Sequence, residues 1–396
     1  MASETKPIHR SKLLTHPLGG GQAGVLRESG LIDNERGMYD AWSRGLTVHR
    51  VLNYRTKGKS PVELTNLIYD QILHSAILGF KTIGGGSGPN DKARVCIVRE
   101  DGLGKPSPPF QAFRARTSLI SSLSLSSSRI LLVLGQNSSA GFVCTVDVPR
   151  DVDNVWDVQS LDGGLKPFSR SYWASAANPF SQATSFAIAA SCGAIILNES
   201  QSGNQSWWKR EFGERFLHPD TPAVMSVDWL SPHVVIKGCI DGGVRLWDIR
   251  SRGESRESRI QHPSQINHAR RVDENTIVVA GLESQLCTYD LRFESDLATH
   301  GQVTRPFHRF PSYENVDLGH LATGFDVHGD LVAAVTDDGR IIIWDVKRGF
   351  ELKQVRLGSA KPTGDAICVR FVDRGSVGKG LTLMAAAGVT IDEFAW

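Results

Sequence analysis

The clearest pattern along the chain is an apolar run, a turn and an alternating strand, and it occurs three times. The copies span 237–250, 279–292 and 334–347, and each ends in an aromatic residue, an aspartate, an aliphatic residue and a basic residue. Alternation of apolar and polar residues at period two is typical of a half-buried strand. Each copy therefore predicts two strands joined by a turn.

The copies are spaced like the blades of a propeller. Tyr289 follows Trp247 by 42 residues, and Trp344 follows Tyr289 by 55 residues. We attribute the extra length to a polar loop over 293–315. A period of about 40–45 residues marks a four-stranded propeller blade, so these copies are WD-type repeats.

Fainter strand patterns fill the rest of the chain. They lack the Trp-Asp pair, so their assignment depends on strand length and turn spacing, and six or eight blades stay open beside the predicted seven. We expect Thr47–Asn53 to complete the last blade, because that closure removes an exposed sheet edge. The predicted blade segments are 63–100, 112–148, 165–200, 218–250, 260–292, 318–348 and 365–396.

The predicted fold is therefore all-β, a seven-bladed WD40 β-propeller over 46–396 preceded by a short irregular arm over 1–45. One helix is expected in the arm, around 33–43. Gly19, Gly21 and Gly24 satisfy GxGxxG. No strand precedes this motif and no helix is opened by it, so we do not interpret it as a dinucleotide site.

Composition narrows the function classes. Hydrophobic residues make up 40% of the 396 residues, and the net charge of +2 argues against a strongly basic nucleic-acid platform. No apolar run reaches the roughly 18 residues of a membrane helix, and no secretory core is present at the N-terminus. We expect a location in the nucleus, the cytoplasm or both. The cysteines lack CxxC spacing and are expected to be buried free thiols: Cys96, Cys144, Cys192, Cys239, Cys287 and Cys368.

A histidine lies upstream of each aromatic-Asp pair, 24 to 29 residues away. Such a histidine is usually a structural hydrogen-bonding residue in WD repeats. No Glu or Cys accompanies these histidines at ligand spacing, so neither a metal nor a catalytic role is expected. The predicted structural residues of the repeats are His218, His262, His320, Trp247, Tyr289, Trp344 and Asp345.

Catalytic motifs are missing from the sequence. It contains neither GxSxG nor HExxH, and a propeller enzyme would need an Asp or His cluster around the central channel, which the sequence does not place. We therefore expect no enzymatic activity and no cofactor.

The candidate partner-binding residues come just after the aromatic positions of the first two repeats. On a strand of period two, Asp248 and Arg250 face the same side, so the carboxylate can hold the guanidinium by a charge-assisted hydrogen bond. The same holds for Asp290 and Arg292. Equivalent positions of adjacent blades emerge on one rim, where paired arginines would anchor a protein partner. The alternative is that each arginine only caps its own strand end.

These two tetrapeptides resemble the WDxR box of WD40 substrate receptors that dock on the damaged-DNA-binding adaptor of cullin-four RING ubiquitin ligases. Both boxes are complete, and the sequence is most similar to the factor-four subgroup. The likeness covers about 129–396 and includes the Gly238-Cys239 lead, the 361–365 approach and the strand at 381–387.

The resemblance implies a receptor that recruits target proteins to the ligase. Its partners would be the DDB-type adaptor and an unknown substrate, with no small-molecule substrate, nucleic acid or membrane. Lys347 ends the third repeat and cannot reproduce an arginine fork, so that repeat is not counted as a box. The helix expected at 33–43 is a candidate second contact with the adaptor. The alternative function is a general WD40 scaffold in another complex.

Overall fold

The computed structural model describes β-strands and their connections. The described residues are 47–53, 62–70, 75–82, 94–99, 110–114, 119–126, 129–135, 142–147, 158–160, 171–191, 193–202, 205–212, 222–251, 259–293, 302–316, 324–356, 367–373, 380–388 and 390–395. The predicted arm at 1–45, its helix, His218 and His320 lie outside these ranges.

Seven four-stranded antiparallel sheets make up the described fold, which confirms the predicted propeller. Blade 1 comprises β2 Val62–Asp70, β3 Ser75–Thr82, β4 Arg94–Arg99 and β5 Phe110–Arg114. Blade 2 comprises β6 Leu119–Ser126, β7 Arg129–Gly135, β8 Phe142–Asp147 and β9 Val158–Ser160. Blade 3 comprises β10 Tyr172–Ala177, β11 Ser185–Ala190, β12 Gly193–Ser202 and β13 Gln205–Phe212.

The repeats recognised in the sequence form the next three blades. Blade 4 comprises β14 Val224–Ser231, β15 Val234–Cys239, β16 Gly243–Asp248 and β17 Ile260–Gln261. Blade 5 comprises β18 Ile266–Arg271, β19 Thr276–Gly281, β20 Leu286–Asp290 and β21 His308–Arg309. Blade 6 comprises β22 Phe325–His328, β23 Leu331–Val335, β24 Arg340–Asp345 and β25 Phe350–Arg356. Blade 7 comprises β26 Ile367–Asp373, β27 Leu381–Ala387, β28 Thr390–Ala395 and β1 Thr47–Asn53.

The first strands of the blades form a closed ring. Each of β2, β6, β10, β14, β18 and β22 contacts the first strand of the next blade, and β26 contacts β2. These strands therefore line the centre of the propeller, and the fourth strands lie at its outer edge.

The hydrophobic core is divided into seven clusters, each shared by two consecutive blades. Between blades 4 and 5, for example, Ile236 and Val244 pack against Ile277 and Val279. One cluster joins blade 7 to blade 1 through Met384 and similar side chains. Every blade is thus held by two neighbours.

Second strands explain the apolar runs in the sequence. Strands β11, β23 and β27 are buried along their full length. Each lies between two strands of its own blade and between two blades, so both of its faces are covered and no polar alternation is required. The outer strand β25 instead mixes polar and apolar residues, and Val355 is its only buried residue.

The ring is closed by β1, as predicted. It pairs antiparallel with β28, from Thr47 opposite Ala395 to Asn53 opposite Thr390. The seventh sheet is therefore built from two distant parts of the chain, and β1 covers the outer edge of β28.

The predicted blade boundaries were too narrow. Blade 4 extends to Gln261 and blade 5 to Arg309, whereas the predicted segments end at residues 250 and 292. The region 293–315 is not simply a polar loop, because it contains β21 and the buried Phe310 and Tyr313. Fourth strands as short as two residues have too little alternation to be recognised in the sequence.

Four of the cysteines, Cys144, Cys239, Cys287 and Cys368, are free, and Cys192 lies outside the described residues. Cys144, Cys239 and Cys287 are buried, as expected, and Cys368 is half-buried. Burial raises the pKa of the Cys239 and Cys287 thiols, which keeps both as neutral, apolar side chains.

Candidate protein-docking site

The two arginine boxes lie where the third strands of blades 4 and 5 end. Strand β16 ends at Asp248 and β20 ends at Asp290, so Arg250 and Arg292 lie in the turns beyond them. The prediction that strand alternation orients the arginines was wrong, because the strands have already ended. The chain turns there since the backbone nitrogens of Arg250 and Arg292 donate to the aspartate Oδ1 atoms at 3.0 and 2.9 Å.

The predicted contact between each aspartate and its arginine is nevertheless present. Arg250 donates from Nε to Asp248 Oδ1 at 2.9 Å and from Nη2 to Oδ2 at 2.6 Å. Arg292 donates from Nε to Asp290 Oδ1 at 2.9 Å and from Nη2 to Oδ2. Two parallel bonds fix the plane of each guanidinium as well as its position.

Both guanidiniums remain accessible. The Arg250 and Arg292 side chains are each 65% exposed. A guanidinium has five N–H donors, and the fork to the aspartate uses two of them. The donors on the far side of each guanidinium therefore face solvent, where a partner can reach them.

The aspartates are stabilised as carboxylates. The hydrogen bonds from Arg250 lower the pKa of Asp248 to about 2. Those from Arg292 lower the pKa of Asp290. Both pairs consequently stay ionised over the whole range in which proteins normally operate.

The third repeat has a different arrangement. Asp345 at the end of β24 has a side chain only 2% exposed, and its Oδ1 accepts from the Arg348 backbone nitrogen at 2.9 Å. Burial raises the pKa of Asp345. Lys347 pairs instead with Asp330 at 2.9 Å. The described turn thus presents no arginine fork, in agreement with excluding this repeat from the boxes.

The boxes occupy equivalent positions in consecutive blades. Both lie just after the third strand, and blades 4 and 5 pack directly against each other through β14, β18 and a shared core. The two clamped guanidiniums are therefore displayed on the same face of the propeller.

The aromatic residues of the repeats are structural. Trp247, Tyr289 and Trp344 are buried in the clusters between blades. His262, in the connection between blades 4 and 5, has Nδ1 2.9 Å from Tyr289 Oη. Burial lowers the pKa of His262 to about 4, so the imidazole is neutral. This is the type of structural contact that the repeat pattern predicts.

Trp344 has a partner that sequence reasoning missed. Its Nε1 donates to Ser312 Oγ at 3.1 Å. Ser312 lies in the connection before blade 6, where the sequence suggested His320 as the polar residue. A single serine gives no distinctive signal in the sequence, so only the folded structure identifies it.

A second feature missed by the sequence is a set of polar bridges between first strands. Asp228 Oδ2 accepts from the Arg271 backbone nitrogen at 2.8 Å, linking blade 4 to blade 5. Asp326 accepts from Arg370 Nη1 and from the Phe371 backbone nitrogen, both at 2.8 Å, linking blade 6 to blade 7. These carboxylates are engaged in holding blades together.

The described residues form neither a metal cluster nor a membrane-spanning helix. Within the described ranges, the His, Cys, Asp and Glu side chains form no group of three or more placed to hold a metal ion. The same part of the chain contains no helix of the length and hydropathy needed to cross a membrane.

The fold and its repeats define a WD40-type β-propeller, a class of protein-interaction domain. The solved β-propeller domain of Cps50 (Swd1) from Myceliophteria thermophila superposes with a TM-score of 0.58, at 14% identity, over 89% of this chain and 99% of that one. At this identity the likeness shows the fold alone.

A sequence relative supports the same class. The chain is 25% identical over 140 residues to WD repeat-containing protein 21 of Schizosaccharomyces pombe. The match covers 35% of this chain and 32% of that protein, which is about a third of the relative's length. No protein-family model matches the chain.

Proposed function

We propose that this chain is a WD40 substrate receptor, which binds the DDB-type adaptor of a cullin-four RING ubiquitin ligase through Arg250 and Arg292. The observation that carries the proposal is a duplicated clamp, in which Asp248 holds Arg250 and Asp290 holds Arg292. Consecutive blades each display an exposed guanidinium held by its own aspartate through two parallel hydrogen bonds. Both tetrapeptides resemble adaptor-docking boxes, and this resemblance indicates the adaptor as the partner.

The clamp is better suited to docking than to stability. Exposed ion pairs contribute little to folding, with a median of about 0–1 kcal/mol. Both arginine side chains are 65% exposed, so they remain available to a partner. Arginine is also enriched among the residues that dominate protein interfaces, because its fork recognises carboxylates and carbonyl groups with defined geometry.

The receptor would act by bringing a target close to the ligase. Ubiquitin transfer belongs to the recruited enzyme, and this chain contributes proximity without catalysing a step. The target would bind a surface other than the boxes. We place the protein in the nucleus, the cytoplasm or both, and propose neither a cofactor nor a nucleic-acid or membrane partner.

Replacing both arginines tests the proposal. The Arg250→Ala, Arg292→Ala double variant should lose binding to the purified adaptor by about 100-fold, since two interface arginines are removed. An Arg→Lys double variant should lose most of the affinity as well, because lysine keeps the charge but not the fork. Affinity is measured by calorimetry or surface plasmon resonance.

Lys347→Ala is the matched control. It removes an exposed cation from the equivalent turn of blade 6 and should leave the affinity unchanged. Thermal unfolding establishes that each variant is folded. The proposal fails if the folded arginine variant binds like the wild type, or if the wild type does not bind the adaptor.

A further inference from the structure

The two boxes differ in the residue after the arginine. Arg250 is followed by Ser251, whose hydroxyl donates to the Asp248 carbonyl at 2.7 Å. Arg292 is followed by Phe293, which is 73% exposed. Its ring centroid lies 6.0 Å from the Arg292 guanidinium carbon. The first box is therefore polar, whereas the second carries an aromatic side chain.

A second exposed phenylalanine lies on the same blade. Phe307 is 60% exposed, and its backbone nitrogen donates to the Thr288 carbonyl at 2.8 Å. Since Thr288 is opposite His308 across the β20–β21 pair, Phe307 lies one position further toward the end of β20 that carries Arg292. Phe293 and Phe307, hereafter the aromatic edge, thus lie near the same end of blade 5.

The aromatic edge is more exposed than the other aromatic side chains whose exposure the structure describes. Among the residues whose side-chain exposure the structure describes, the other exposed aromatic side chains, Trp173 and Phe180, are each 37% exposed. Elsewhere in the same ranges most large apolar side chains are buried between blades. Clustered apolar exposure beside a polar group commonly marks a protein interface.

The surroundings of the edge are fixed. His308, which follows Phe307, donates from Nε2 to the Lys347 carbonyl at 2.8 Å, and so ties the outer strand of blade 5 to the turn after β24 in blade 6. Phe307 also packs edge-on against the His308 ring, with centroids 4.3 Å apart. The aromatic edge therefore lies between the second box and the equivalent turn of the third repeat.

The electrostatic environment also differs between the boxes. The nearby carboxylates of Asp273 and Glu274 act on Arg292 in addition to its own aspartate. By contrast, Asp248 is the one charged group that shifts the pKa of Arg250. The charge of Arg292 is therefore more fully balanced by its surroundings, so a carboxylate on a partner is favoured more beside Arg250 than beside Arg292, whereas apolar side chains are favoured beside the aromatic edge.

We propose, building on the adaptor-docking function above, that blades 4 and 5 contact chemically different parts of the adaptor, which fixes the orientation of the adaptor on this surface. The adaptor places an apolar side chain over Phe293 and Phe307 on blade 5, and a carboxylate against Arg250 on blade 4. The aromatic edge supplies buried apolar area, and the first box supplies charge recognition. The partner segment is thus acidic at one end and apolar at the other.

The test compares purified full-length variants in binding to the adaptor at several salt concentrations. Phe293→Ala with Phe307→Ala should weaken binding about tenfold and leave its salt dependence as in the wild type, because the lost contact is apolar. Arg250→Ala should weaken binding and also flatten its salt dependence, because the lost contact is between charges.

A matched control uses exposed apolar residues from the opposite end of the blades. Ile240→Ala with Val316→Ala alters side chains near the starts of the third strands of blades 4 and 6, and should change nothing. All the substituted apolar residues are exposed, so thermal unfolding should be the same for each variant.

The possible results separate the two proposals. If the arginine variants lose binding while the aromatic variant binds like the wild type, the directional interface is wrong and the docking function stands. If the wild type does not bind the adaptor, both are wrong. If the aromatic substitutions change only the oligomeric state of the chain, seen by light scattering, the edge is a contact between copies and the directional proposal is overturned.

Discussion

At the scale of residues, three aspartates at the ends of third strands have two different roles. Asp248 and Asp290 accept forks from arginines two positions later. Asp345 occupies the same place but is buried, and it accepts from the backbone of Arg348. An arginine two residues after an accessible aspartate can return to it with two donors. A lysine has one nitrogen, and Lys347 is paired with Asp330.

His262 makes stability depend on pH. Its pKa in the folded protein is about 4, below the ordinary 6.5, because burial disfavours the imidazolium. The unfolded chain therefore binds the extra proton first, and stability is fully present above pH 6.5 and declines as the pH falls toward 4. The shift corresponds to about 3 kcal/mol. We expect the free energy of unfolding to be less pH-dependent between pH 7 and 5 in His262→Gln than in the wild type.

A direct titration provides a check that does not depend on the variant folding. NMR of the wild type should show the His262 ring neutral until the pH approaches 4, while its contact with Tyr289 persists. A ring that titrates near 6.5 in the folded protein would contradict this account of its burial.

At the scale of elements, second and third strands were predictable and outer strands were not. Strand β23 is apolar throughout, and β19 is apolar and buried after Thr276, because both faces are covered, and this is visible in the sequence. The outer strands β17 and β21 are two residues long, and each exists because a third strand is available to pair with it. Such pairing is set by distant residues, so local pattern cannot show it.

The dependence of strand pairing on distant residues also explains why the orientation of the box arginines was attributed to the wrong cause. The contact between Asp248 and Arg250 could be predicted from their types and spacing. The predicted cause, alternation along a strand, was wrong, because β16 ends at Asp248 and a hydrogen bond to the Asp248 side chain stabilises a turn of the backbone there. Where a strand ends depends on its neighbour: β15 begins at Val234, which lies opposite Asp248, and so β16 has no partner in β15 beyond that point.

The closing strand β1 can be tested by removing one backbone donor. Val51 lies opposite Asp392 within the β1–β28 ladder. Proline at residue 51 has no backbone N–H, and its ring restricts Arg50, where the ladder already shifts register, so the substitution should weaken closure. We expect Val51→Pro to lower the melting temperature and to aggregate more readily, as the uncovered edge of β28 becomes available for pairing.

Val51→Ala is the control, because it keeps the backbone N–H and should aggregate no more than the wild type. Light scattering during heating measures the difference. Equal behaviour of the proline and alanine variants would mean that closure does not depend on this ladder.

At the scale of the whole molecule, polar bridges between first strands supplement the apolar cores. Asp228 links blade 4 to blade 5, and Asp326 links blade 6 to blade 7. Between blades 2 and 3 the bridge is uncharged, with Ser122 and Ser124 both hydrogen-bonded to Ser175. The junction between blades 4 and 5, which carry the two arginine boxes, is thus bridged by a carboxylate.

Asp326→Ala should weaken the junction between blades 6 and 7. It leaves the Phe371 backbone nitrogen without its acceptor, and it leaves the Arg370 guanidinium with only the Leu67 carbonyl at 3.1 Å. Full burial would make such a loss cost about 3–5 kcal/mol, and the partial exposure of Arg370 reduces the expected loss to about 2 kcal/mol. Hydrogen exchange should rise first in β22 and β26.

Asp330→Ala is the control in the same blade. It breaks the more exposed pair with Lys347 and should cost less than about 1 kcal/mol. If both variants are destabilised equally, or if exchange rises uniformly around the ring, Asp326 has no special role at the junction.

The aspartate–arginine contacts also determine when the arginine side chains lose their conformational entropy. A free arginine side chain carries about 2 kcal/mol of rotamer entropy, which an ordinary interface must remove as the partner binds. Here each guanidinium is already immobilised by the carboxylate of its own turn, so that entropy is lost during folding. An arriving partner then meets two rigid donors, and the bound state forms with less reorganisation of this surface.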